Sequence, residues 1–155
     1  MTTAVPEDHP GIRVRQAERP DLLAVYRIET GSFPQPWPFG AFEQYLGEPG
    51  FLVATDDAVL GYIVGDRVMN RRMAVGHIKN LAVHEEYRGQ GVGRALLGRG
   101  IDVLTEQGVE ALKLEVRAEN ERALELYHSC GFEHRATIEG YYEDGEDALL
   151  LVCDI

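Results

Sequence analysis

The stretch from His77 to Gly93 reads His-Ile-Lys-Asn-Leu-Ala-Val-His-Glu-Glu-Tyr-Arg-Gly-Gln-Gly-Val-Gly, and the rest of the chain is understood around it. Ile78, Leu81 and Val83 sit among β-compatible neighbours, so it begins as a strand. The strand stops at the charged turn His84-Glu85-Glu86. A glycine-rich turn, Arg88-Gly89-Gln90-Gly91-Val92-Gly93, then opens a helix through Arg94 and Ala95. Glycines at 89, 91 and 93 let the backbone approach a ligand closely. The free amides and dipole of the new helix favour an anion there, and a diphosphate is the natural guest. A P-loop would need Gly-Lys-Ser/Thr, whereas Arg94-Ala95 stands here. The dinucleotide fingerprint would need its third glycine at position 94. What remains is Arg-x-x-Gly-x-Gly between a strand and a helix.

The chain has 155 residues, enough for one domain with a proper core, and we expect a loose arm over 1–11 and a single domain over 12–155. No apolar run is long enough to span a membrane, and no secretory signal is visible. Cys130 and Cys153 are not a spaced pair, and the expectation is free thiols in a reducing cytoplasm. The five histidines are scattered with no Cys/His spacing, so no metal site is expected. The formal net charge of −11 argues against nucleic acid and suits a cationic acceptor, an amine or a basic protein. Lys79 and Lys113 are the only lysines. Acid excess with lysine nearly absent fits either a high-salt proteome or a GC-rich genome.

Taken in order, the chain reads β-α-α-β-β-β-α-β-α-β-β, an α/β architecture with a mixed sheet. Ile12 to Arg15 alternates as a first strand. Pro20-Asp21 opens a helix whose inner face is Leu22, Leu23, Val25, Tyr26 and Ile28, with Gly31 as its stop. Pro34, Pro36 and Pro38 make a stiff extended loop, and a short helix follows over 39–46. Strands at 51–54 and 59–64 form a hairpin about Asp56-Asp57, and Met69 to Ala74 reads as a turn. The longest helix runs from Gly91 to Gln107, before Gly108. A strand covers 111–117, Asn120 caps a helix to Cys130, and two last strands at 132–138 and 148–152 bracket a loop containing Tyr141 and Tyr142.

In the strand Leu112 to Arg117, period two separates Leu112, Leu114 and Val116 from Lys113, Glu115 and Arg117. From the residues alone, Glu115 reads as one charge of a half-exposed strand, and Tyr127 as a core tyrosine. Leu-Glu-Val-Arg-x-x-Asn, followed by Ala-Leu-x-Leu-Tyr and Gly-Phe, resembles the RimI-type N-terminal α-acetyltransferases of the GCN5-related N-acetyltransferase (GNAT) superfamily. Ile28-Glu29 with Ser32-Phe33-Pro34 and Pro36-Trp37 is similar to that family's substrate loop. Gly140-Tyr141-Tyr142 with Glu146-Asp147-Ala148-Leu149 is similar to its closing hairpin. Archaeal-type N-terminal acetyltransferases share most of these features. The resemblance covers residues 12 to 152.

That resemblance implies the acyl-CoA N-acyltransferase fold and an enzyme that moves acetyl from acetyl-coenzyme A to a protein N-terminus, ribosomal or other. The coenzyme would lie on Leu81, Ala82 and Val83, on Arg88, Gly89, Gln90, Gly91, Val92, Gly93 and Arg94, and on Asn120. Glu115 would take the amine's proton and Tyr127 would protonate the leaving thiolate. Glu29, Phe33, Pro34, Trp37, Tyr141 and Tyr142 would hold the acceptor, with Trp37 either against the core or flanking the groove. A monomer or weak homodimer in the cytoplasm is expected. The alternatives are a GNAT enzyme for a small amine or internal lysine, a non-catalytic acetyl-CoA-binding subunit, and a nucleotide-binding regulatory domain, which the missing Walker and dinucleotide spacings disfavour.

Overall fold

A computed structural model describes residues 11–155, so the arm expected over 1–11 lies, apart from Gly11, outside the described residues. Strand β1 (Arg13–Gln16) leads through a 3-10 turn at Arg19–Asp21 into helix α1 (Leu22–Ser32) and then helix α2 (Phe39–Tyr45). Strands β2 (Phe51–Asp56), β3 (Ala58–Asn70) and β4 (Met73–Val83) follow, then helix α3 (Val92–Glu106) and strand β5 (Ala111–Arg117). Helix α4 (Glu121–Ser129) and strands β6 (Glu133–Ile138) and β7 (Ala148–Asp154) complete the chain. The seven strands form one mixed sheet in the order β1-β2-β3-β4-β5-β7-β6. This is the element order and fold class read from the sequence.

Side-chain alternation divides the core between the two sheet faces. On one face, Leu60 and Ile63 of β3 meet Leu96, Leu97 and Leu104 of α3 and Leu112, Leu114 and Val116 of β5. On the other, Tyr62 and Val64 meet Val25 and Ile28 of α1 and Phe42 of α2. Phe42 is fully buried, with the rings of Trp37 and Tyr62 at 5.3 and 5.5 Å. Truncating it to alanine would cost about 3–5 kcal/mol. No residue of β5, β6 or β7 belongs to this second cluster, so Lys113, Glu115 and Arg117 are left out of it.

Several boundaries differ from the sequence reading, and three of them shape the site. Helix α1 runs past Gly31 to Ser32, and the Phe33 amide closes it on the Glu29 carbonyl at 3.1 Å. Proline at 34, not glycine at 31, limits the helix, because a pre-proline residue leaves the helical region. Strand β3 continues to Asn70 and β4 starts at Met73, four residues before His77. Only Arg71 and Arg72 turn, at φ 51° and 71°. Arginine is no turn signal, so the sequence pattern concealed a two-residue hairpin. Among the described residues, no helix is long and apolar enough to cross a membrane.

Candidate active site

Strands β4 and β5 pair in parallel only over Val75–His77 and Ala111–Lys113, and then part. The His84 amide bonds the Leu60 carbonyl of β3 at 2.8 Å, and the register is regular from Asn80 to Val83. Antiparallel alternation therefore turns the amides of Leu81 and Val83 away from β3, towards the gap that β5 has left. A cavity of ≈ 700 Å³ begins there. Its walls are Leu81, Ala82 and Val83 of β4, Arg88, Gly89 and Gly91 of the turn, Val92, Gly93 and Arg94 of α3, and Asn120 and Tyr127.

Local physics shapes this cavity. Gly91 is the N-cap of α3 at φ 85°, a left-handed conformation that turns the chain and leaves the first helical amides unpaired. Gly93 is a matter of space, since a Cβ there would stand 3.3 Å from the Leu126 side chain. Arg88 braces the turn by donating to the Val83 carbonyl at 3.0 Å and to Ser32 Oγ at 3.2 Å. Gln90 is not among the lining residues, and its amide donates to the Glu86 carbonyl at 3.4 Å. Asn120 Oδ1 caps α4 by accepting the Ala123 amide at 3.1 Å. Ser32, Tyr87, Arg122, Ala123 and Leu126 also line the cavity, and the sequence reading assigned none of them to the coenzyme.

Beyond the fork of the strands stands a second group. His77 Nε2 and Glu115 Oε1 are 2.8 Å apart, both side chains half-buried. The hydrogen bond from His77 outweighs burial and holds the Glu115 carboxyl below its usual range. Tyr127 is buried against Phe132 with ring centroids 5.9 Å apart, and burial pushes its hydroxyl well above the ordinary tyrosine value. Arg117 anchors the β6–β7 loop, bonding Asp144 at 2.9 Å and lying 4.2 Å over the Tyr142 ring. Burial, reinforced by Tyr141, pushes the Tyr142 hydroxyl up to about 12. Tyr141 is half exposed, edge-on to Tyr142 at 5.0 Å, and both burial and the Glu115 charge raise its hydroxyl.

The loop after α1 is built differently from the expectation. Glu29 is 1% exposed and accepts the Trp37 amide at 2.8 Å, the Asn80 side chain at 2.6 Å and the Tyr62 hydroxyl. Three neutral donors thus hold the carboxylate of Glu29, the residue expected to meet the acceptor. Trp37 packs on the core, stacked on Tyr45 at 5.8 Å. Phe33 lines the cavity and Pro34 is exposed. Sequence reasoning missed His77, Asn80 and Tyr62 as site residues. The first two lie inside the stretch that decides the fold, but a bulge at Lys79 (Val64 faces Asn80 while Gly65 faces Ile78) resets which side chains share a face.

The parted parallel strands and the glycine turn at the N-terminus of α3 thus frame one cleft lined by backbone amides. The acetyltransferase (GNAT) family model matches residues 22–132, and the chain belongs to that family as an N-acetyltransferase. It is 32% identical over 155 residues to an N-alpha-acetyltransferase of Sulfurisphaera tokodaii, covering 92% of this chain and 93% of the relative. It is 35% identical over 147 residues to the [Ribosomal protein bS18]-alanine N-acetyltransferase of Escherichia coli, covering 92% and 97%. Among solved structures it is similar to Ard1 from Thermoplasma volcanium, at TM-score 0.86 and 29% identity, over 94% of this chain and 98% of that one.

Proposed function

We propose that the chain acetylates the α-amine of protein N-termini, with acetyl-CoA as co-substrate and ribosomal proteins among the candidate acceptors. The observation that carries the reading is the His77–Glu115 pair at the fork of β4 and β5, with Tyr141 near enough for the Glu115 charge to raise its hydroxyl. The two named N-terminal acetyltransferases among its relatives support the same acceptor class.

Acetyl-CoA supplies an acetyl group activated as a thioester. The turn amides and the N-terminus of α3 suit its diphosphate, and the cleft-facing amides of Leu81 and Val83 suit an extended arm laid along β4. Leu81, nearest the fork, is placed to donate to a carbonyl on which negative charge develops. Glu115 is ionised throughout the neutral range and draws the proton from the incoming amine, directly or through a water, while His77 holds it in place. A free α-amine titrates near 7.7–8.0 and a lysine near 10.4, so a base of this modest strength suits the α-amine. Tyr127 keeps its proton at neutral pH and offers it to the sulfur as the C–S bond breaks and the C–N bond forms. Phe33 and Pro34 form one wall of the acceptor groove and Tyr141 and Tyr142 the other, while Glu29 and Trp37 fix the first wall from behind. We place the reaction in the cytoplasm, consistent with the free thiols of Cys130 and Cys153.

The test is a panel of peptides with free or blocked N-termini, each with and without an internal lysine, incubated with acetyl-CoA. Mass spectrometry should find acetyl only on free α-amines. Preferential modification of spermidine or of internal lysine would defeat the acceptor assignment.

A further inference from the structure

The Asn80 side chain lies between the two halves of the site. Its Nδ2 donates to Glu29 Oε1 at 2.6 Å, and its Oδ1 accepts from the Leu81 amide at 3.2 Å. Glu29 Oε2 in turn accepts the Trp37 amide at 2.8 Å. A continuous line of hydrogen bonds therefore joins the cleft-facing backbone of β4 to the backbone of the proline-rich loop. Its middle is buried, with Glu29 at 1% and Tyr62 at 0% exposure. All three donors to Glu29 are neutral, so no ion pair fixes the carboxylate and it follows the donors that hold it.

The Leu81 amide is also the group that the proposed reaction gives to the bound thioester arm. One N–H cannot serve two acceptors at full strength. A ligand carbonyl that takes this amide releases Asn80 Oδ1 and leaves the Asn80 amide to settle on Glu29. We propose that Asn80 is a positioning residue coupling the two halves: occupation of the Leu81 amide passes through Asn80 and Glu29 to the Trp37 amide. Coenzyme binding thereby fixes one wall of the acceptor groove before the peptide arrives. The peptide then loses less ordering entropy on binding, which makes the coupling positive. This inference rests on the coenzyme and acceptor assignments made above.

The test uses coenzyme A itself, which binds without transferring anything, and a peptide with a free N-terminus. Trp37 is the only tryptophan, so its emission reports on the loop. In the wild type, coenzyme A should shift Trp37 emission with the same midpoint as its calorimetric binding. It should also tighten peptide binding by about 5- to 100-fold. Asn80→Ala should still bind coenzyme A, yet lose most of the Trp37 shift and bring the peptide affinity ratio towards one. If Asn80→Ala does not fold, Asn80→Ser, too short to reach Glu29, is measured in its place with the same expectation. A variant that keeps both the shift and the ratio overturns the proposal. Coenzyme A binding in the wild type with no Trp37 response and no effect on the peptide overturns the coupling alone. No calorimetric binding in the wild type overturns the coenzyme assignment and the coupling together.

Discussion

The cleft beside the glycine turn and the groove beyond the fork are made from different materials. The cleft is mostly backbone: amides of Leu81 and Val83 turned away from β3, and the opening turn of α3 behind Gly91. The proposed groove depends on side chains from separate segments, with His77 on β4, Glu115 on β5 and Tyr141 in the β6–β7 loop, and Glu29 of α1 buried behind. Backbone sites depend on conformation and tolerate many side chains, whereas the groove depends on identity at each position. Substitutions should therefore divide cleanly, those in the cleft changing coenzyme affinity and those in the groove changing turnover or acceptor affinity.

The largest expected effect belongs to Glu115. Glu115→Gln keeps size and hydrogen bonding but removes the base, and turnover should fall by about 10²–10⁴. Coenzyme A affinity, read by calorimetry, should be unchanged. Loss of coenzyme affinity in this variant would break the division between the two regions.

Next in size is Gly91→Val. A β-branched residue at φ 85° is strained by about 1–3 kcal/mol, which the turn can avoid only by giving up its geometry. Coenzyme A should bind about 10- to 100-fold more weakly, while circular dichroism still reports a folded chain. Unchanged affinity in a folded variant would remove the diphosphate assignment.

Tyr141→Ala comes third. The ring is half exposed and lies within reach of the Glu115 charge, so its removal takes contact area from one side of the groove only. The peptide KM should rise about 3- to 10-fold at unchanged coenzyme affinity, the pattern of lost uniform binding. If peptide kinetics stay the same, Tyr141 is only a packing residue of the hairpin.

The same contrast explains what the sequence disclosed. Helix α3, the glycine turn and the alternation of Leu112, Leu114 and Val116 against Glu115 are local patterns, and all were legible. The partial pairing of β4 with β5 is not local, because where two strands part depends on the twist of the whole sheet. His77 illustrates the loss: its role depends on Glu115, 38 residues away. Glu29 illustrates the same loss, since its partners Tyr62 and Asn80 lie 33 and 51 residues away. The Lys79 bulge left no signal, being one extra residue in an otherwise regular strand.

The smallest effect decides whether Glu115 is a working base or one charge in a structural row. Its folded pKa lies below the ordinary glutamate value, chiefly through the hydrogen bond from His77. The pair therefore contributes stability that is fully present above the unfolded carboxyl pKa. That stability is lost as pH falls through the lowered folded value. Glu115→Gln cannot titrate, so the melting-temperature gap between wild type and variant should be widest above the unfolded carboxyl pKa and close as pH falls through the lowered folded value. Screening at a half-exposed pair keeps the gap small, about 2–4 °C if the pair is worth about 1 kcal/mol in a chain of this size. A structural row predicts the reverse weighting, with a gap of many degrees and little change in rate. If Glu115→Gln melts far below the wild type at pH 7 yet turns over peptide at the wild-type rate, the carboxylate belongs to the sheet and the proton must leave the amine by another route.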